Sequence, residues 1–586
     1  MRRFVVGLLA TIGAVTVLLV GAGLFFAARG PLATRSLPSS MVLSVDLRSL
    51  PPETVASDIL SGLWGGGTHD MVDTVQALWR AADDPRVVGL YVEIGDEDAG
   101  LARVQELREA IQRFRGKGKF AIGFAEELGS SGDHVADYYL ASALDRIWLQ
   151  PSGGFGIAGI AVETPFVKTG LDKLGVRIEG GKRYEYKSAP DSLTSASMTA
   201  PARENLQQLL DGLYGQFIED VARERHVAPA KLRQLFDTTP FDSERARAEG
   251  LVDKIGYRAD AMNDVWQRAG RMRDLVSLSD YADEDWHAQA RGDVIGLVRV
   301  SGTIVSGSVG DSPFNDDLRA AADDVVDALD AAAQAKEVKA IVLRIDSPGG
   351  TYPAADAMAD AVARARAAGK PVIVSMGDVA ASGGYLAAVR ADVIVAEPTT
   401  ITGSIGVFGV WPVATDLLDT LGITVDRVTA GANAGMFSSF HLPSASQRAA
   451  VGRQLDAIYS DFTHQVGEAR HLDSTRLDAA ARGRVFSGTE ARQAGLVDEL
   501  GGLELALSIA KAKAGIDESR SIEVRRFPPE GDRLQRIVDR FMRLTSMATD
   551  GPNIRMPREL RDLLGRLGIA AHPGTVRLPP LPPLWH

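Results

Sequence analysis

The 586-residue chain contains no cysteine, which removes disulfides, thiolate metal sites and a cysteine nucleophile together. It is also short of positive charge: 64 lysines and arginines stand against 76 acidic residues, a formal net charge of −12. No basic stretch is long enough to follow a phosphate backbone, so nucleic acid is not expected as a partner. Within the basic set lysine is scarce, 13 of the 64. Arginine carries the ordinary surface charge, and a lysine at a distinctive position therefore weighs more than it would in a lysine-rich chain.

What is present is the composition of a folded protein, 45% hydrophobic and 24% charged. The length is too great for one core, so two or more domains are expected. At the amino end Arg2 and Arg3 precede an uncharged run over residues 4–28, which at 1.5 Å per residue can cross a bilayer of about 30 Å. Two arginines before the run and Arg29 after it direct the amino terminus to the cytoplasm. The apolar part of a cleaved signal peptide is shorter, about 7–15 residues. Residues 1–30 are thus expected to be an uncleaved transmembrane signal anchor, with the body on the far side of the membrane.

The body repeats itself. The stretches 87-VVGLYVEIG-95 and 118-GKFAIGFA-125 recur as 338-VKAIVLRID-346 and 369-GKPVIVSM-376, and 241-FDSERARAEGLVDKIG-256 recurs as 486-FSGTEARQAGLVDELG-501. Between them 138-YYLASALDRIWLQP-151 matches 384-GYLAAVRADVIVAEP-398. In each copy β-branched runs alternate with alanine-rich amphipathic stretches such as 353-PAADAMADAVARARAAG-369, the βαβ pattern of a parallel sheet flanked by helices. The spacing predicts an α/β fold of two tandem units, 40–290 and 291–515. A tail over 516–586 follows, with a basic amphipathic stretch at 532–544 and a proline-rich end.

The chemistry lies where the copies disagree. The second reads 346-DSPGGTYP-353 where the first, 95-GDEDAGLA-102, has no glycine pair. Ser382 in 379-VAASGGYLAA-388 stands where the first copy is read to place Ala136. The first copy has Lys187 in 183-RYEYKSAPDS-192, and the corresponding 432-ANAGMFSSFH-441 has no lysine. A serine hydroxyl is a poor nucleophile until a base takes its proton, and a desolvated lysine can lose its charge and serve as that base. A histidine base is disfavoured: the G-x-S-x-G elbow is absent around Ser382, and His134, His441 and His464 have no paired carboxylate signature. The S-x-x-K tetrad 508-SIAK-511 sits in an alanine-rich helical pattern ending in glycine, without S-D-N or K-T-G partners, and is disfavoured as a catalytic motif. The pair Gly349–Gly350 is either a tight turn or a backbone cradle for an oxyanion.

The set 346-DSPGG-350, 377-GDVAASGGY-385, 402-TGSIGVFG-409 and 186-YKSA-189, with the duplication and the anchor, resembles the long two-domain form of the bacterial signal peptide peptidase A (protease IV) family, peptidase family S49, over roughly residues 1–515. The resemblance implies tandem ClpP/crotonase-like domains and a membrane-bound serine protease without metal or organic cofactor. It implies Ser382 as nucleophile, Lys187 as general base, an oxyanion hole at Gly349 and Gly383 with Gly350 supporting the loop, and Ser404 orienting the lysine amine. It also implies a homotetramer at the inner (cytoplasmic) membrane, single-pass, working on the extracytoplasmic side on hydrophobic peptides such as left-over signal peptides. Two rivals are a crotonase-type acyl-CoA enzyme, which needs neither serine nor lysine, and a catalytically silent membrane scaffold.

Overall fold

Aliphatic strands buried on both faces build parallel sheets, and the described residues make two large sheets of this kind, the second with one antiparallel edge where Val485–Ser487 meets Ile401–Gly403. The structure is a computed structural model that describes residues 37–54, 69–95, 99–129, 135–270, 273–285, 292–308 and 319–528, with 571–572 and 575–576. The expected anchor at 1–30, the stretch 532–544, the proline-rich end and His134 lie outside the described residues. Among those described, no helix is long and apolar enough to cross a membrane.

In the first unit, β1 (Met41–Leu47), β2 (Val87–Ile94), β3 (Phe120–Ala125) and β4 (Arg146–Leu149) alternate with α1 (Met71–Asp83), α2 (Leu101–Gly116) and α3 (Ala136–Ser142). The chain then leaves the sheet through β5 (Arg177–Arg183), returns along the 26-residue α4 (Ala200–Arg225), and adds β6 (Lys254–Ile255) and β7 (Asp274–Ser277). The sheet order is β6-β4-β3-β2-β1-β7, parallel throughout. The second unit repeats the plan with β8 (Asp293–Ser301), β9 (Val338–Ser347), α5 (Tyr352–Ala367), β10 (Val372–Ala381), α6 (Gly383–Ala388), β11 (Val393–Ala396), β12 (Ile401–Gly403), β13 (Val407–Val413), α7 (Ala445–Arg470), β14 (Val485–Ser487), β15 (Glu499–Leu500), α8 (Leu503–Lys513) and β16 (Ile522–Phe527). Its order is β14-β12-β10-β9-β8-β16, with β11 on β10 and β15 beyond β11. β10 serves two neighbours in succession: Ile373–Ser375 pair with β11, and Val379–Ala381, the end that leads into Ser382, pair with β12.

The second unit runs past the expected boundary at 515. β16 pairs in parallel with β8 as the edge of the sheet. Two arginines inside 522-IEVRRF-527 hid it among polar tail sequence, yet Arg526 is held by Asp70 and Asp73 at the start of α1.

The duplication survives in hydrogen bonds as well as in topology. The Tyr138 and Tyr385 hydroxyls donate to Leu251 O and Leu496 O, both at 2.9 Å. Arg225 and Arg470, closing α4 and α7, pair with Asp253 and Asp498, and both helices end at a left-handed histidine, His226 and His471. These equivalences correct one reading. Tyr138 and not Tyr139 matches Tyr385, so Val135 stands opposite Ser382 and Ala136 opposite Gly383; the doubled tyrosine had allowed a one-residue slip.

The units are bound by charge at their centre. Arg344 on β9, 1% exposed, donates to Glu53 (2.6 and 3.1 Å), to Glu106 on α2 (2.8 Å twice) and to Ser375 Oγ (2.9 Å). On the outside, β5 of the first unit and β13 of the second form an antiparallel ribbon, Arg183 opposite Val407 through Arg177 opposite Val413. Removing one partner of a buried ion pair strands the remaining charge, at a cost of about 3–5 kcal/mol. Arg344→Met is therefore expected to lower the urea unfolding midpoint strongly, and the triple variant Arg344→Met, Glu53→Gln, Glu106→Gln to recover most of the loss. A single variant as stable as the wild type would contradict this.

Candidate active site

The strand β10 turns into α6 at Ser382, whose φ of 55° and ψ of −116° lie where side-chain-bearing residues rarely go. Such a conformation costs of order 1–3 kcal/mol and persists only when its surroundings hold it. Here Ser382 N–H donates to Gly403 O (2.9 Å) and Ser382 O accepts from Leu386 N–H (3.0 Å). Val135, in the same position of the first unit, has an ordinary φ of −111°. The strain is therefore confined to the copy that carries the serine. The turn has the strand-to-helix form of a nucleophile elbow without its G-x-S-x-G sequence.

The glycine pair lies directly against this turn. Gly349 has φ 104°, and a Cβ on it would stand 2.6 Å from Gly383 N and 2.9 Å from Ser382 Cβ. Only glycine lets the two backbones approach so closely. Gly349 N–H donates to Ser347 Oγ at 3.1 Å. Among the described residues, no protein acceptor takes the N–H of Gly350 or of Gly383.

Lys187 follows β5 and crosses into the second unit. Its Nζ lies 3.0 Å from Ser382 Oγ, 2.8 Å from Ser404 Oγ and 2.9 Å from Ser404 O. The residue is 3% exposed and, among the described residues, has no carboxylate partner. Burial alone pushes its pKa down to about 7. Lys182, five residues earlier, is the contrast: its Nζ sits 2.5 Å from Asp191 and is an ordinary ion pair. Three contacts suit a neutral amine, whose two hydrogens go to the two Ser404 oxygens and whose lone pair faces the Ser382 hydroxyl. A hydroxyl so placed can lose its proton to the amine, and unclaimed N–H groups beside it can receive a developing negative oxygen.

The six residues singled out from sequence, Ser382, Lys187, Ser404, Gly349, Gly350 and Gly383, thus come together within one chain. The other candidates do not join them. His464 is solvent-exposed and paired with Glu468. Ser508 lies on the exposed face of α8, and Lys511 Nζ donates to Glu518 O and Arg520 O instead. Sequence reasoning missed 482-RGR-484, which packs on the lysine segment. A Cβ on Gly483 (φ 87°) would stand 2.4 Å from Lys187 N. Arginine is too common here to have marked it.

Comparison with known proteins gives a consistent picture. The family model described as Peptidase family S49 matches residues 118–271 and 364–517, one stretch in each unit, and that described as Clp protease matches 315–398. The chain is 31% identical to protease 4 of Haemophilus influenzae over 476 residues, covering 78% of this chain and 75% of that one. It is 32% identical to protease 4 of Salmonella typhi over 467 residues (77% and 73%) and 29% identical to the chloroplastic serine protease SPPA of Arabidopsis thaliana over 491 residues (82% and 70%).

Burying the amine also makes stability depend on pH. Between pH 7 and 10.5 the unfolded chain holds the Lys187 proton and the folded chain has released it, so unfolding free energy rises with pH across that window. Lys187→Met lacks this dependence. From pH 7 to about 9.5 the wild type should gain about 3 kcal/mol relative to the variant in denaturant unfolding; a constant difference would contradict the buried neutral amine.

Proposed function

From the premise that this chain belongs to peptidase family S49 and is a serine protease, we propose that Ser382 and Lys187 form its catalytic dyad, one residue from each unit. The observation that carries this reading is the amine of Lys187, buried without a counter-ion at hydrogen-bond distance from a strained serine. A protease that works by a Ser/Lys dyad needs both groups, whereas an acyl-CoA enzyme of the same fold or a silent scaffold needs neither.

Neutral Lys187 takes the proton from Ser382 Oγ as that oxygen attacks the scissile carbonyl. The tetrahedral oxyanion forms against the N–H groups of Gly383 and Gly350, each donor worth roughly 3–4 kcal/mol, whereas the Gly349 N–H expected in that role is taken by Ser347 Oγ. The resulting ammonium gives its proton to the leaving amine. Water then enters and loses a proton to Lys187 as it attacks the acyl carbon, and the lysine ammonium passes that proton to Ser382 Oγ as the acid leaves. Ser404 keeps the lone pair on target throughout by accepting the other two hydrogens. The chemistry calls on no metal and no organic cofactor.

The substrates in this reading are hydrophobic peptides, including cleaved signal peptides, taken from the membrane. The uncharged run over 4–28 supports a single-pass anchor in the inner membrane with the catalytic body on the extracytoplasmic side. Phe437, exposed and packed edge-on against Trp411 of β13, and the exposed Phe440 support apolar peptide capture beyond the Ser404 loop. Leu174, Leu421 and Val428, also exposed, support burial between copies in a homotetramer.

Ser382→Ala and Lys187→Ala should each lower kcat/KM on a hydrophobic peptide by about 10⁴ or more while remaining folded. Lys187→Arg should be as inactive, because a guanidinium stays protonated. In the wild type kcat/KM should rise with pH through about 7 and then level, since only the neutral amine is a base. Activity retained in either alanine variant would refute the dyad.

A further inference from the structure

The base reaches the nucleophile on a segment that the opposite unit grips residue by residue. Tyr184 meets the Tyr459 ring edge-on, with 4.7 Å between centroids. Glu185 accepts from Arg482 Nε and Nη2, both at 3.0 Å. Tyr186 lies 3.8 Å beneath the Arg484 guanidinium, and its hydroxyl donates to Glu204. The next residue, Lys187, turns inward.

The same arginine segment holds the other side of the amine. Ser404 N–H donates to Arg484 O and Gly483 N–H to Ile405 O, each at 2.8 Å. Residues 482–484 therefore fix both Lys187 and the serine that receives its hydrogens. Arg482 itself takes φ 61°, a conformation disfavoured for a residue with a side chain, and its N–H donates to the Tyr459 hydroxyl at 3.2 Å. The Arg482 and Glu185 side chains are each 37% exposed, and ion pairs so placed contribute little to stability. Holding geometry accounts for the pair better than holding the fold does.

We propose that the Arg482–Glu185 ion pair positions the catalytic base: it draws residues 184–187 onto 482–484 and keeps water from the Lys187 amine. The proposal rests on the dyad reading above. Among the described residues the charged groups around the segment are Glu185, Arg482, Arg484 and Glu204, with Asp478 behind Arg482, and on its own side Lys182 with Asp191 and Arg183 with Asp456; none of them bonds the amine.

Positioning and plain charge give different signatures. If these groups acted on Lys187 only through their charge, removing the cation would raise its pKa and removing the anion would lower it. If they act by sealing the amine, both losses admit water and both raise it. The test is the pH profile of kcat and KM, on the full chain and a fluorogenic hydrophobic peptide, for Arg482→Met, Glu185→Gln and Asp478→Asn. The first two should lose roughly tenfold or more in kcat with KM nearly unchanged, and both should move the acid limb upward by roughly one pH unit. Asp478→Asn, which removes only the other partner of Arg482, should leave rate and limb in place, and Arg482→Lys should recover part of the loss. Opposite shifts in the first two variants, or a limb that neither moves, would overturn the positioning role alone. A wild-type profile with no titration near pH 7, or an active Lys187→Ala, would overturn both that role and the dyad.

Discussion

A primary amine with no counter-ion, sealed between two serines of the opposite unit, is the feature on which the site depends. Water or a carboxylate at that position would return the amine to its charged form and end the base role proposed for it. Much of the local architecture serves this requirement: the backbone contact at Gly483, the left-handed Ser404 and the grip on residues 184–186. The amine is buried at a cost in stability, which the interlock of the two units has to offset. Arg344, with its two carboxylates, and the ribbon of β5 with β13 join those units.

The duplicated fold has been divided chemically while staying the same mechanically. Both copies keep the tyrosine-to-leucine hydrogen bond, the helix-ending arginine–aspartate pair and the left-handed histidine cap. The differences that bear on the site lie in the turns after the second and third sheet strands and in the segment after the crossing strand. The second copy bends its turn into a strained serine against a glycine pair, and the first leaves Val135 relaxed. The first copy sends a lysine across, and the second has none there. One candidate site per chain is the outcome.

This asymmetry is why so much was legible in the sequence. Lysine scarcity and the mismatch between copies singled out Lys187 and Ser382, and alternating apolar runs marked the parallel sheets. Register was legible only to within a residue, because 138-YY-139 offers two alignments and a hydroxyl bond chooses between them. The edge strand at 522–527 was hidden because its two arginines look like tail sequence. Arg482 and Arg484 were hidden for the opposite reason, being two arginines in a chain that uses arginine everywhere. Their meaning comes from which backbone they touch, and long-range contact leaves no local pattern.

The central claim is that Ser382 is activated by a neutral, buried Lys187. It is tested most directly by the rate at which a serine-directed acylating probe modifies the full-length protein as pH is varied, with the labelled residue located by peptide mass spectrometry. The account predicts a single modified serine, Ser382, labelled at a rate that is half-maximal near pH 7 and lost in Lys187→Ala. Labelling at another serine, or at Ser382 with a rate indifferent to Lys187, would contradict it.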